Sequence, residues 1–361
     1  MYASVQTARS IAILLVVLFH CSAVFALPKY FGIDPLRGCA SFGYAGVDLF
    51  FVISGFVIAH AHASDFGQPA RAPSYAIKRV LRIYPIYWLV LACVATALVA
   101  THAFGSAMPL DAATLVKTVA LLPQDPNHVG GTGAPLLIVA WTLQHEVFFY
   151  LVVLLFIVSR HLGAVTLMLI SGYGLSHPQD HLAAFMLDPL NLEFLMGFAV
   201  WHLARSAIRP VACTLLTTGG VIGFVVVAVL DVGGTGLGGT PCELGYGVSS
   251  AVGLLGAIAM ERQGWRPASR IFDEVGAASY SIYLIHLPLI SVICKLLSKA
   301  RTPDPALRGL LYCVVFLGAT CCAIAFYRYV EAPLLAFLRS RLTTSNDRST
   351  AWLRGAGVRA S

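Results

Sequence analysis

Apolar runs of roughly twenty residues recur about ten times along the chain, and nothing else in it constrains the fold as tightly. They lie near residues 10–27, 44–62, 84–103, 138–158, 162–175, 187–204, 211–230, 247–260, 276–297 and 309–334. At ~1.5 Å per residue, such a run covers a ~30 Å hydrocarbon core as a helix. The fifth is short, so the count stands at nine or ten. Only 11% of the 361 residues are charged, against about 25% in a soluble domain. The expected fold is an all-α integral membrane protein with about ten transmembrane helices in one bundle, over residues 1–338. Residues 339–361, with Ser, Thr and scattered Arg, read as a basic, disordered cytoplasmic tail held near anionic lipid.

Basic residues set the expected orientation. With the N-terminus inside, 17 Lys and Arg fall on the cytoplasmic side and 7 on the other, which favours ten spans with both termini cytoplasmic. The net charge of +7 therefore bears on orientation and lipid surfaces, not on nucleic acid. The nine cysteines show no zinc-type spacing, and no metal is expected; Cys39 and Cys242 share a predicted loop face and form a candidate pair. In "VFALP", Val24 and Ala26 suit a signal-peptide cleavage site, but the charged region before the run is thin, so a retained first helix is expected. The Gly-rich connections 104–137 and 231–246 follow no strand and carry no Lys-Ser/Thr pair, so they read as flexible external loops, not phosphate cradles.

The first run carries Arg9 and His20, eleven residues or close to three helical turns apart, so both point to about the same face. The rise between them is ~16 Å, which places His20 near mid-membrane if Arg9 sits at the interface. Ionisable groups at that depth usually line a cavity or pathway, although an anchoring Arg and a packing His is the plainer reading. Before the third run, "YAIKRVLRIYPIYW" puts Arg79 and Arg82 on one helix face beside Lys78. Pro85 begins or kinks that span, with Tyr84, Tyr87 and Trp88 as an interfacial belt. Two parallel guanidinium groups at a membrane mouth suit a phosphate-bearing ligand as well as they suit a positive-inside anchor.

Two further runs carry polar stripes. Thr142, Glu146 and Tyr150 recur at four-residue steps, and Ser279, Tyr283 and His286 share a face of the ninth run. A lone deep carboxylate must be protonated or paired. Singly, each residue suits helix packing; together, His20, Glu146 and His286 at similar depth are expected to converge on a site. In "GVDLFFVISGFVI", Asp48 lies near the outer end of the second run, and Ser54-Gly55 permits close helix approach. No G-x-S-x-G elbow is present, which leaves a serine nucleophile unsupported. His60 and Asp65 fit the H-x4-D spacing of glycerolipid acyltransferases, a spacing chance readily produces in a chain with 11 His.

Together these stretches resemble the integral-membrane acyltransferase 3 family. Its Arg-x10-His matches Arg9 and His20, its "GVDLFFVISGF" residues 46–56, and its R-x-x-R-I-Y-P Arg79 to Pro85. Its W-[ST]-L-x-x-E-x-x-F-Y matches Trp141 to Tyr150, its S-Y-x-x-Y-L-x-H-x-P Ser279 to Pro288, and its closing motif "YRYVEAPL" with Glu331. "DPLNLEFLMG" with "WTLQHEVFFY" is similar to the branch that O-acetylates exopolysaccharides such as succinoglycan; His145 departs from the family pattern. The resemblance implies a bacterial inner-membrane O-acetyltransferase with cytosolic acetyl-CoA as donor. The implied acceptor is a sugar hydroxyl of an exopolysaccharide or other cell-surface glycan, or its lipid-linked precursor. The implied roles are donor phosphates at Arg9, Arg79 and Arg82, and His20 as general base or transiently acetylated residue. Glu146 or His286 would orient it or stabilise the oxyanion. The competing class is a polytopic transporter of a glycan precursor or small molecule, for which the internal repeats common in transporters are lacking.

Overall fold

A computed structural model describes residues 2–101, 111–234, 239–267, 269–299 and 304–341. The described chain is helical throughout. In order it forms α1 (Ala3–Phe25), α2 (Gly46–His62), α3 (Ala72–Ala100), the short α4 (Ala112–Ala120) and α5 (Pro126–Val129), and α6 (Trp141–Val158). Then come α7 (Arg160–Ser176), α8 (His181–Met186), α9 (Pro189–Leu203), α10 (Pro210–Val232) and α11 (Thr240–Arg262). The last are α12 (Arg270–Ala277), α13 (Ser279–Leu297) and α14 (Pro305–Phe326), which runs through a π turn at Tyr327–Glu331 into a final helical stretch. Seven of the helices start where the sequence supplies an acceptor for the unpaired first N–H groups: Asp111, Asp125, Ser159, Asp180, Asp188, Ser269 and Asp304 all cap in this way.

Nine helices among the described residues are long and apolar enough to cross a membrane, and α7, with 17 residues, falls just short. Packing nevertheless makes α7 a crossing. At its start, Arg160 Nε donates to the Phe66 carbonyl and the Gly67 N–H to Phe156, so this end lies beside the α2–α3 turn. The chain next reaches Asp188 and Asn191, which meet His145 near the opposite end of α6. Between the two faces lie only α7 and the short α8. Ten crossings result among the described residues, so the two ends of the bundle share one face. On that face Glu261 accepts the N–H groups of Ala3 and Ser4, and Arg328 pairs with Glu274.

Helix α1 is central. Ile13, Val16, Val17 and Cys21 are fully buried in the main core, between α2 on one side and α13 and α14 on the other. Without a hydrophobic drive between helices in lipid, association depends on close backbone approach. The Ser54-Gly55 pair provides it as expected: a Cβ on Gly55 would stand 2.0 Å from the Phe194 carbonyl oxygen, and one on Gly197 would stand 2.1 Å from that of Val52. The α2–α9 seam is thus a backbone-to-backbone contact.

Four local expectations change. Helix α3 begins at Ala72, so Pro85 lies inside it and does not open it. Tyr84, Tyr87 and Trp88 make no interfacial belt; they donate to the carbonyls of Ala120, Thr118 and Val119 at 3.0, 2.6 and 2.9 Å. Those are the orphan carbonyls at the C-terminal end of α4. The 111–137 connection is consequently pinned across α3, and Gln144 of α6 donates to Leu122 and Gly133 within it. Finally, Cys39 is exposed, Cys242 is buried on α11, and no disulfide joins them. The tail beyond residue 341 and residues 235–238 of the second Gly-rich loop lie outside the described residues.

Candidate active site

Helices α1, α2, α3, α6, α9 and α13 line a partly open cavity of about 130 Å³. Each polar stripe of the sequence delivers side chains to it: Arg9 from α1, Arg79 and Arg82 from α3, Thr142, Glu146 and Tyr150 from α6, and Ser279 and Tyr283 from α13. The remaining wall is mostly apolar, from Val47, Phe50 and Phe51 on α2 to Phe194 on α9, with Ser54 and Tyr280 as its polar members. Spacing of three and four residues on α6 and α13 is what lets one face of each helix carry several of these groups.

One end of the cavity is cationic. Arg9 Nη2 donates to Ser279 Oγ at 2.7 Å. Arg79 lies against the rings of Tyr75 and Tyr150, 5.4 and 5.1 Å from their centroids, and Arg82 against Tyr280 at 5.3 Å. Aromatic faces hold guanidinium groups without consuming their N–H donors. Arg79 Nε is buried and has no acceptor among the described residues, an open donor that an anionic ligand would satisfy. Glu146 accepts the Tyr150 hydroxyl, Glu331 that of Ser281, and both carboxylates act electrostatically on Arg9 and Arg82. Three arginines against two carboxylates leave a net positive pocket.

The other end stops at Tyr283, whose hydroxyl accepts from Thr142 Oγ1 at 2.8 Å and donates to the Val139 carbonyl at 3.0 Å. One turn further along α13, His286 Nε2 meets His20 Nδ1 at 3.2 Å. The partners determine the protons. His286 Nδ1 faces the carbonyls of Ile282 and Tyr283 at 3.0 and 2.7 Å, so it carries the hydrogen and leaves Nε2 as an acceptor. His20 Nδ1 then donates, to His286 Nε2 and to the Val16 carbonyl at 3.0 Å. His20 Nε2 is left with its lone pair. His286 is fully buried, whereas His20 is half-buried and edges onto Phe19, which contacts Tyr44 near the α2 start.

Six site residues are expected from sequence, and the fold places five of them in the expected groups; only Glu146 departs. His20 and His286 converge, and Arg9, Arg79 and Arg82 share one cavity. Glu146 does not join the histidines; it sits with the arginines, one turn of α6 away from Thr142. Arg9 is also deeper than a membrane anchor, six residues or ~9 Å inside the start of α1. Asp48 faces away from the cavity, buried against Glu193 of α9, and His145 stacks on Phe185 at 4.0 Å. Tyr280, under Arg82, and the pair His62–Asp65 carry no signal in the sequence pattern that points to the site. His62 and Asp65 stand three residues apart at the end of α2, a helical-neighbour spacing that the H-x4-D reading of His60 passes over.

Comparison with known proteins fits this geometry. The family described as "Acyltransferase domain" matches residues 2–328. The chain is 30% identical over 318 residues to the exopolysaccharide production protein ExoZ of Rhizobium meliloti (strain 1021), covering 84% of this chain and 93% of that one. It is 32% identical over 151 residues to protein 2 in the picA locus of Rhizobium radiobacter, covering 38% of this chain and 73% of that one. No solved structure matches.

Proposed function

Because the chain belongs to the acyltransferase 3 family of membrane acyltransferases, we propose that it moves an acetyl group from cytosolic acetyl-CoA to a sugar hydroxyl of an exopolysaccharide or its lipid-linked precursor. One observation carries the reading: a single cavity has three arginines at one end and ends, at Tyr283, one helical turn from a paired histidine with a free lone pair. The acceptor class rests on the similarity to an exopolysaccharide production protein.

The arginine end lies toward the starts of α1 and α3, the side that the Lys and Arg pattern of the sequence assigns to the cytoplasm of a bacterial inner membrane. Arg9, Arg79 and Arg82 bind the donor's phosphates there, and Glu146 keeps Arg9 and Arg82 apart and oriented. The ~16 Å rise from Arg9 to His20 is within reach of an extended pantetheine arm. At the far end, His20 Nε2 takes the proton of the acceptor hydroxyl as its oxygen attacks the thioester carbonyl. The new C–O bond forms, the C–S bond breaks, and the thiolate leaves to be protonated. His286 acts through His20, by holding its hydrogen on Nδ1.

Calorimetric titration of coenzyme A into the purified protein in nanodiscs tests the donor, and NMR of polysaccharide from a deletion strain tests the acceptor. Binding in the micromolar range and loss of O-acetyl resonances are expected. A wild-type protein that binds no coenzyme A refutes the donor; an unchanged acetylation pattern refutes the acceptor.

A further inference from the structure

Arg79 differs from the other two arginines in donating to an imidazole that is itself held by a carboxylate. His62 Nε2 lies 2.7 Å from Arg79 Nη2, and His62 Nδ1 lies 2.9 Å from Asp65 Oδ2. A guanidinium only donates, so His62 Nε2 must be the acceptor and the ring hydrogen must sit on Nδ1, directed at Asp65. The three groups thus form one chain, carboxylate to imidazole to guanidinium, in which the carboxylate fixes the tautomer the arginine requires. The Tyr75 ring meets the edge of His62 at 4.9 Å and also lies under Arg79, so imidazole and guanidinium share a wall. With one Nη2 hydrogen committed to His62, the Nε–H of Arg79 is buried and unpartnered among the described residues.

We propose that Asp65 and His62 are positioning residues for the donor-binding site, holding Arg79 so that its open N–H edge meets a donor phosphate. The inference rests on the donor reading above. A guanidinium on a flexible stem loses rotamer freedom when it grips a phosphate, and a partner that immobilises it beforehand removes that cost from binding. The alternative is a structural staple that ties the end of α2 to α3 and has no bearing on the ligand.

The test is a mutant cycle read as KM and kcat for acetyl-CoA. His62→Ala should raise KM about tenfold with kcat within about twofold of wild type, because the contact made by Arg79 is equally present before and during reaction. His62→Gln, whose side-chain oxygen reaches the position of Nε2, should restore most of the affinity. His62→Asn, which reaches only to Nδ1, should not. In an Arg79→Ala background, His62→Ala should change KM by less than about twofold. Additive effects in that background, a fall in kcat at unchanged KM, or equal behaviour of the Gln and Asn variants would overturn the proposal. Should His62→Ala fail to accumulate, the two polar variants decide the question between themselves. Coenzyme A titration on the wild type separates the outcomes: no binding refutes the donor reading, whereas normal binding with additive variants refutes the positioning pair alone.

Discussion

His286→Leu is the perturbation that tests most directly how the two histidines divide their work. Leucine keeps apolar volume at a fully buried position but removes the Nε2 acceptor that receives His20 Nδ1–H at 3.2 Å. The Val16 carbonyl, 3.0 Å from the same nitrogen, remains and still favours the hydrogen on Nδ1. The loss is therefore one neutral hydrogen bond of two, about 0.5–1.5 kcal/mol, or about two- to twelvefold in kcat. KM for the donor should not move, since the arginines lie at the other end of the cavity. His286→Gln places a carbonyl near the lost acceptor and should recover most of the rate. By contrast, removal of the base itself in His20→Ala should cost about 10²–10⁴ in kcat. Single-turnover acetyl transfer by protein in nanodiscs, normalised to folded protein, gives all three numbers. If His286→Leu falls as far as His20→Ala while remaining folded, His286 transfers protons itself and the positioning role is refuted.

Other consequences follow from the same geometry. Arg82→Ala should weaken coenzyme A binding about ten- to a hundredfold, and Lys should rescue only in part because an ammonium lacks the planar fork; equal affinity in titration would remove Arg82 from the site. Glu146→Gln keeps an acceptor for Tyr150 while removing the charge facing Arg9 and Arg82, so turnover should fall at least about tenfold with normal accumulation in the membrane. A variant that fails to accumulate makes Glu146 structural. Gly55→Val must push α2 from α9, since even a Cβ meets the Phe194 carbonyl at 2.0 Å, and about 1–3 kcal/mol or more of stability should go with it; an unshifted thermal unfolding curve in detergent would contradict the seam. Reporter fusions after Arg341 and within the 26–40 loop should report opposite sides, cytoplasmic and external; the same side for both would break the ten-crossing topology.

Much of this protein is written locally. Long apolar runs specify helices because hydrocarbon leaves backbone groups no other partners, and an Asp or Ser marks the start of seven of the helices. The stripes at 142, 146 and 150 and at 279 and 283 turned out to line one cavity because period and depth are properties of a single helix. Which stripes face one another is not such a property. That Arg9 meets Ser279, that His20 meets His286, and that Glu146 joins the arginines and not the histidines depend on how α1, α6 and α13 pack. The status of α7 was likewise undecidable from its 17 residues, and became decidable through the loops it connects. Tyr84, Tyr87 and Trp88 read as a lipid belt until the chain returned to offer them carbonyls, and Arg79 gained His62 only when the end of α2 folded against α3. Sequence encodes what a helix presents; the neighbour that receives it is set by close packing between segments far apart in the chain, where a single glycine decides how near two backbones can come.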